Sequence, residues 1–539
     1  MQVNIFGEIE TQAITVENAA KTAGVSEATI RNWIKTGYLD SPIKGYITSL
    51  SLSKFITQII GKEKLNARAN KLKKNNHNHI ELSEFIEKQL ITEKMNENLW
   101  QDYENSLSES FRNKEGIYYT PENIVIDMMK SIENVSDKIF LDPCCGGGNF
   151  IIQALKMGFK PENVFGFDTD KNAVEIAKKR IFEHCGCKNE NIICEDFLKT
   201  AQKLNNKYDY IFTNPPWGKK LQKNIKDGFS VIYNTGKSND TSSLFFFACL
   251  SLLAKGGKLG FLLPEAFFNI STFEDARKRA LELNVERLID YGKPFKGLLT
   301  RAQAIILKNE TATDGSCHCG FDPQSPDKVH IRNQVSFSKL PKKIFNFWAK
   351  QDAEQVIEHV YSLPHITLEN NARWALGIVT GNNEKICQKL KKEGVTPIFR
   401  GQDITANGLK EPTLFIDEID LKKCQQVAPI EFYKAKEKLI YRFIFNKLVF
   451  YCDKEQNFIL NSANLLILNE KIQISGQQLV DLLNSDFMNF IFQNIFHTHK
   501  ILRGDLECLP IHAEYFAENK NFDENKYLDY LKIKKENGT

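Results

Sequence analysis

The chain of 539 residues has no uninterrupted apolar run long enough to span a bilayer. Its first 24 residues carry no basic-then-apolar leader. Together these absences argue against a membrane span and a secretory signal, and they set the expectation of a cytoplasmic protein with no membrane partner. A charge excess is also lacking. Lys and Arg number 71 against 67 Asp and Glu, a net +4, so a nucleic-acid partner has to be argued from local patches. The 12 cysteines show no metal-site spacing. Cys185-Gly186-Cys187 has no matching pair, and Cys317-His318-Cys319 stands in a Gly/Ser/Pro-rich stretch read as a surface loop, residues 311–328. Reduced thiols and no metal are expected. No paired-carboxylate-plus-lysine cluster marks a strand end, which argues against a fused nuclease. What remains, 42% hydrophobic residues and a mean hydropathy of -0.36, is the composition of a soluble globular protein. The length allows about three domains.

The most informative segment is Tyr208-Asp209-Tyr210-Ile211-Phe212-Thr213-Asn214-Pro215-Pro216-Trp217-Gly218. An apolar strand runs into Asn-Pro-Pro-aromatic. Two prolines have fixed φ and no N–H, so the turn is stiff and cannot extend a sheet. Such a turn can hold an amide, bare carbonyls and an aromatic face towards one small planar group. Asn214 Oδ1 and the Pro215 carbonyl can accept the two hydrogens of an exocyclic amine, while Trp217 stacks on the ring. Methylating such an amine requires its lone pair to leave the ring. Two acceptors on the N–H bonds favour that and stabilise the developing positive charge. The remaining work is positioning, with no metal or covalent intermediate. A base inside a duplex would have to be extruded to reach this site. The competing view of these residues is a Pro-rich turn with a core tryptophan.

Upstream, Phe140-Leu141-Asp142-Pro143-Cys144-Cys145-Gly146-Gly147-Gly148-Asn149-Phe150 reads as buried strand, acid, glycine turn and helix start. Glycines allow close backbone approach to a ligand. The layout parallels the first βα turn of a doubly wound sheet, without dinucleotide spacing. Asp142 suits a cationic sulfonium or ammonium group. A second strand ends in Asp168, placed to accept ribose hydroxyls. A third is followed by Asp196 and Phe197, suited to an adenine amine and ring. Each acid alone could be a helix N-cap or a solvated loop residue; their order at successive strand ends is harder to explain that way.

This set resembles the S-adenosyl-L-methionine-dependent amino-group DNA methyltransferases, specifically the γ-class (TaqI/Eco57I-like) N6-adenine branch of restriction-modification systems. The glycine run Asp142 to Phe150 is similar to their donor motif, and Gly116-Ile117-Tyr118-Tyr119-Thr120-Pro121 to the segment capping the donor's methionine end. Gly147 stands where Ser or Thr is commoner, and Trp217 where Tyr or Phe is. The resemblance implies donor contacts from Tyr119, Thr120, Asp142, Pro143, Gly146, Gly148, Asp168, Asp196 and Phe197. It implies a catalytic turn of Asn214, Pro215, Pro216 and Trp217, with Phe295 as a second aromatic against the base. Double-stranded DNA is the implied partner, with a cognate restriction endonuclease as a further candidate. The oligomeric state is not legible.

The implied fold class is α/β: a Rossmann-like doubly wound methyltransferase sheet with an N-terminal helix-turn-helix region and a C-terminal α+β target-recognition domain. Residues 242–254 read as helix broken by Lys255-Gly256-Gly257, then a strand over 258–263, a helix over 273–283 and strands over 287–291 and 302–307. Near the N-terminus, Thr15 caps a short helix and Glu27 to Lys35 forms another with Ile30 and Trp33 on one face. This pair resembles the helix-turn-helix of excisionases and regulators, which would bring Thr29, Arg31, Asn32 and Lys35 to DNA; a helical hairpin for protein contact is the alternative. A basic stretch follows over 62–79, then an amphipathic helix over 81–111. Asn382, Asn383, Arg400, Gln402 and Arg442 carry groups that read base edges or phosphates.

The expected domains are 1–60, 61–110 (linker and helix), 111–310 (methyltransferase), 311–328 (inserted loop) and 329–539 (target recognition). The leading function is site-specific adenine-N6 DNA methylation. Competing readings are the modification subunit of a multisubunit restriction enzyme, a methylase of protein glutamine amides, and a DNA-binding regulator with an inactive methyltransferase fold.

Overall fold

The computed structural model describes residues 13–58 and 118–533, apart from positions 24, 36–38, 42, 206, 220, 296–297, 299, 313–314, 321–328 and 497–499. The basic stretch and helix expected over 62–111 lie outside the described residues, as do Gly116, Ile117 and the side chains of Asn32 and Lys35. Contacts divide the chain into two units: residues 1–267 with 278–329, and residues 268–277 with 330–539.

In the first unit, strand β1 (Ala13–Thr15) pairs antiparallel with β2 (Tyr46–Thr48). Between and after them come α1 (Val16–Ala23), α2 (Glu27–Lys35) and α3 (Ser49–Gln58). The Thr15 hydroxyl accepts from the Asn18 amide at 3.2 Å, the cap its position predicts. Ala19, Ile30, Ile47, Leu52 and Phe55 build a small core, with Trp33 packed on Phe55 at 4.5 Å. On the outer face of α2, Arg31 pairs with Glu27.

The large sheet contains β3 (Phe140–Asp142), β4 (Val164–Asp168), β5 (Ile192–Cys194), β6 (Tyr208–Thr213), β7 (Leu253–Pro264), β8 (Asn284–Asp290), β9 (Ala302–Lys308) and β10 (Ser316–Gly320). Their spatial order is β10-β8-β9-β7-β6-β3-β4-β5. Neighbours from β5 to β7 are parallel, whereas β9 runs antiparallel to β7 and β8. The chain steps outward from β3 through β4 to β5, then returns to β6 on the other flank of β3. That reversal between β3 and β6 is a topological switch point, where the strand ends open a crevice in α/β sheets. Such strands are buried on both faces, which is why Phe140, Leu141, Ile211 and Phe212 are all inaccessible.

The helices follow the sheet: α4 (Glu122–Met129), α5 (Asn149–Lys156), α6 (Lys171–Cys185), α7 (Phe197–Thr200), α8 (Lys223–Tyr233) and α9 (Thr241–Leu252). Asp170 caps α6 through the amides of Asn172 and Ala173, and Gly186 ends it. Ile151, Ile152, Val174 and Ile181 pack these helices onto the sheet.

Three sequence expectations differ from the structure. Residues 311–328 are not simply a loop: Ser316–Gly320 forms β10, parallel to β8, with Cys319 opposite Leu288. Cys317 and Cys319 are fully buried and His318 is exposed, a period of two that a glycine- and serine-rich setting conceals. Cysteine here acts as a small apolar residue. Second, the helix before β7 ends at Leu252, so Lys255-Gly256-Gly257 belongs to the strand, whose register against β6 shifts between Tyr208 and Tyr210. Residues 268–277 also group with the second unit rather than with the methyltransferase span expected over 111–310.

The second unit is α+β. An antiparallel sheet orders Ala372–Leu376, Ala463–Leu468, Lys438–Arg442 and Phe450–Asp453, and a smaller one orders Phe415–Asp417, Val395–Phe399 and Phe458–Ile459. Helices Gln351–Ser362, Gly476–Asn484 and Asp486–Phe496 accompany them. Arg277 is fully buried and donates to the carbonyls of Ile270, Lys342 and Lys343. An ion pair between Lys438 and Asp453 is likewise inaccessible.

Candidate active site

The two motifs flank the switch point. Asp142 ends β3 and Asn214 follows β6, whose Ile211 pairs with Leu141. Asp142 is buried. Its Oδ1 accepts from the Thr213 hydroxyl at 2.7 Å and from the Cys144 amide at 3.1 Å. Its Oδ2 is buried with no hydrogen-bond partner. Burial raises this carboxyl to about 7 against the opposing pull of those two bonds. An orphaned buried carboxylate oxygen is costly unless something cationic or protic meets it.

Asn214 shows the same asymmetry. Its Nδ2 donates to the Tyr118 carbonyl at 2.7 Å, while Oδ1 is buried and unpartnered. Reversing the amide would set two acceptors against each other, so the bond to Tyr118 fixes Oδ1 as the free acceptor. Pro215 is buried and Pro216 half-buried, and the Trp217 indole N–H donates to the Leu262 carbonyl at 3.3 Å. Trp217 and Phe295 meet edge-on at 5.3 Å, and Tyr118 lies 5.3 Å from Phe295 and 6.3 Å from Trp217. The structure thus brings together the two aromatics named from sequence and adds Tyr118. Trp217 is only 7% exposed, so stacking on a base requires this ring trio to part. The loop bearing Phe295 is pinned at both ends by buried Asp290, which accepts from the Gly292 amide, Arg301 Nε and Gln303 Nε2.

The glycine turn connects these parts. Gly146, at φ +49°, lies beneath Tyr119: a Cβ there would stand 2.5 Å from the ring. Gly148, at φ +87°, lets α5 approach α6, since a Cβ would meet Ala177 at 3.1 Å. Pro143 is buried in the turn. Asp168 takes the Gly146 amide on Oδ2 and the Asp170 amide on Oδ1. Burial, reinforced by Asp170, raises Asp168 to about 6. Thr120 is buried, and its carbonyl accepts from Asn149 Nδ2 at 2.8 Å.

The third strand end is less open. Asp196 caps α7 through the Leu198 amide and lies 3.5 Å from Lys199. Phe197 is 1% exposed, packed on Phe167 at 5.6 Å and stacked on Phe245 at 5.8 Å. Its ring is a core element in this conformation and presents no face to a ligand, a departure from the adenine-flanking position expected. Sequence reasoning missed Tyr118, Thr213, Asp290 and Arg180, whose Nη1 donates to the Gly147 carbonyl, as contributors; only Tyr118 and Thr213, which lie within the quoted motif segments, carried any signal.

Among the described residues, no group of three or more His, Cys, Asp or Glu is arranged to hold a metal ion. Cys185 and Cys187 are free thiols with sulfurs 2.9 Å apart. No described helix is long and apolar enough to cross a membrane. In the second unit, Asn382 caps a helical turn, Asn383 accepts from Thr380, and Arg400 bonds Asp403 and Thr413. Arg442 donates to the Ile404 carbonyl and lies over the Phe445 ring, while Gln402 is exposed.

Known proteins match both units. A family model described as N-6 DNA Methylase covers residues 95–362, and one described as TaqI-like C-terminal specificity domain covers 396–511. The chain is 46% identical over 409 residues to the Type II methyltransferase M.VspI of Vibrio sp. (strain 343), covering 76% of this chain and 100% of that one. It is 27% identical over 222 residues to the modification methylase CviBIII of Paramecium bursaria Chlorella virus NC1A, covering 39% and 54% respectively. Among solved structures, the Type IIL restriction-modification enzyme MmeI in complex with DNA matches with a TM-score of 0.51 and 9% identity, over 77% of this chain and 71% of that chain. The DrdV–DNA complex matches with a TM-score of 0.50 and 12% identity, over 84% and 62%. At those identities the structural matches speak for the fold alone. The full-length match to M.VspI, together with a methylase model over the sheet and a specificity-domain model beyond it, places this chain in the family of N6-adenine DNA methyltransferases of restriction-modification systems.

Proposed function

We propose that the chain binds double-stranded DNA, extrudes one adenine at a specific site and transfers a methyl group to its N6 from S-adenosyl-L-methionine. The observation that carries this reading is Asn214 Oδ1, buried and without a partner at the switch point. It is an acceptor held ready for an N–H. The Pro215 carbonyl takes the second hydrogen, and the stiff Pro215-Pro216 turn keeps both in place. Trp217 stacks on the extruded purine once the aromatic trio opens, with Phe295 beside it.

When bound, the donor supplies an electrophilic methyl on a sulfonium. The residues fit such a group. Asp142 Oδ2 is a buried carboxyl oxygen without a partner, suited to an ammonium that would favour its ionised form. Asp168 retains lone pairs beyond those used by the Gly146 and Asp170 amides, enough for ribose hydroxyls. Tyr119, Thr120, Pro143, Gly146 and Gly148 shape the turn around the methionine end. Asp196 faces the adenine end, with Phe197 supporting it from the core. Proton release from N6 after transfer needs no dedicated base, because the methylated amine is strongly acidic while positively charged.

The C-terminal unit would read the DNA sequence, and a cognate restriction endonuclease would cut unmodified sites. The match of residues 396–511 to a specificity domain favours a self-contained methylase over a subunit that borrows its reader. Sequencing of modified bases in DNA from cells expressing this chain alone tests the proposal. N6-methyladenine at one short motif is expected. Unmodified DNA, or methylation only when a second subunit is supplied, overturns it.

A further inference from the structure

Arg180 belongs to none of the motifs, yet its side chain ends on the glycine turn. It stands on α6 and is half-buried. Its Nη1 donates both to the Gly147 carbonyl and to Asn149 Oδ1, the latter at 2.8 Å. Asn149 opens α5, and its Nδ2 donates to the Thr120 carbonyl at 2.8 Å. Two residues earlier, the Tyr118 carbonyl accepts from Asn214 Nδ2 at 2.7 Å. Between them Tyr119 lies over Gly146, at a distance that leaves no room for a Cβ. The segment from Tyr118 to Thr120 is therefore anchored at one end by Asn149 and at the other holds the catalytic amide.

We infer that Arg180 and Asn149 are positioning residues for methyl transfer: Arg180 sets the donor turn through the Gly147 carbonyl and, through Asn149 and Thr120, sets the segment that orients Asn214. This rests on the donor and acceptor roles proposed above. The arrangement explains why an arginine stands here. One Nη carries two N–H bonds about 120° apart and can serve two acceptors at once, a geometry a lysine ammonium does not fix. Burial lowers its pKa to about 10, so the guanidinium is still charged at neutral pH and its bonds remain charge-assisted. The amide of Asn149 is used in both senses, accepting from Arg180 and donating to Thr120. Aspartate at 149 preserves the first bond and loses the second.

Two variants separate the links. In Arg180→Ala the turn loses its anchor, and the dissociation constant for S-adenosyl-L-methionine, measured by calorimetry without DNA, should rise on the order of tenfold or more, as expected for loss of charged hydrogen bonds. Millimolar methylguanidinium should restore a measurable part of that affinity. In Asn149→Asp the Arg180–Gly147 bond is kept, so donor affinity should fall less than in Arg180→Ala, while kcat at saturating donor on varied-sequence duplex DNA falls on the order of tenfold or more, because the segment holding Asn214 is released. Wild-type donor binding is the control for the underlying reading: if the wild type binds no donor, the proposed function fails first and this inference falls with it. If the wild type binds and both folded variants match it in donor affinity and in kcat per folded molecule, or if losses merely follow the folded fraction and ignore methylguanidinium, the positioning role is overturned. Should Arg180→Ala not fold, the kcat-against-affinity split in Asn149→Asp decides alone.

Discussion

The Thr213 hydroxyl donates to Asp142 Oδ1 across 2.7 Å, and both residues are buried. Thr213 is the last residue of the strand that delivers Asn214, and Asp142 is the last residue of the strand that opens the glycine turn. One hydrogen bond therefore joins the turn proposed to hold the target base to the turn proposed to hold the methyl donor. It also divides the carboxyl group: Oδ1 is spent within the protein and Oδ2 is left without a partner. Thr213→Val should weaken donor binding on the order of tenfold, since a bond to a charged group contributes about 1.5–3 kcal/mol. Thr213→Ser should bind as the wild type does. Equal affinity for all three proteins in calorimetry would remove Thr213 from the site.

Asn214→Ala deletes the free acceptor. Methyl transfer should fall about 10²- to 10³-fold, the usual effect of losing one preorganised polar group at a developing charge. Donor affinity should change little, because Asn214 touches the donor loop only through Tyr118. A labelled-methyl assay paired with donor calorimetry measures both; retention of transfer would be incompatible with the mechanism.

Donor affinity should depend on pH through Asp142. Burial lifts its carboxyl from 3.8 to about 7. A cationic group beside Oδ2 favours the ionised form, so binding expels a proton, and affinity should rise from pH 6 towards 8 and then level off. The free protein runs the other way: a carboxyl protonated more readily when folded contributes stability at low pH that is lost as pH rises from about 4 to about 7. Calorimetry in buffers of different ionisation enthalpy detects the released proton. A flat profile, or one unchanged in Asp142→Asn, would contradict the assignment.

Trp217→Ala should reduce binding of duplex carrying the target site by the loss of one base–aromatic stack, about 1–3 kcal/mol, while Trp217→Phe keeps most of it. With 2-aminopurine at the target position, the wild type should show the fluorescence rise of an unstacked base and the alanine variant a smaller one. Identical fluorescence in both would show that the ring trio does not receive the base.

In the C-terminal unit, Lys438 and Asp453 are fully inaccessible, and Asp453 also accepts from the amide and side chain of Asn457. Lys438→Met leaves that carboxylate buried without its cation and should destabilise the unit by about 3–5 kcal/mol. The double variant Lys438→Met/Asp453→Leu should regain much of the loss. Thermal unfolding followed in the same buffer checks both; a single variant as stable as the wild type would refute the account.

The primary structure alone determined the order of the chemistry. Asp142, Asp168 and Asp196 stand at or just past the ends of β3, β4 and β5, and Asn214 follows β6, because short apolar runs closed by acids, glycines or prolines admit few other local structures. Tertiary structure alone decided which groups are free. That Asn214 keeps its oxygen free depends on the Tyr118 carbonyl, 96 residues away, and that Asp142 keeps one oxygen unpaired depends on Thr213, 71 residues away. Arg180 reaches Asn149 from another helix, 31 residues on. Such pairings are invisible to local propensity, since they are set by which strands become neighbours. The same holds for Cys317 and Cys319, whose alternation became a strand only because β8 offered an edge to pair with. Periodicity and turn chemistry are properties of nearby residues, whereas hydrogen-bond satisfaction is a property of the packed whole.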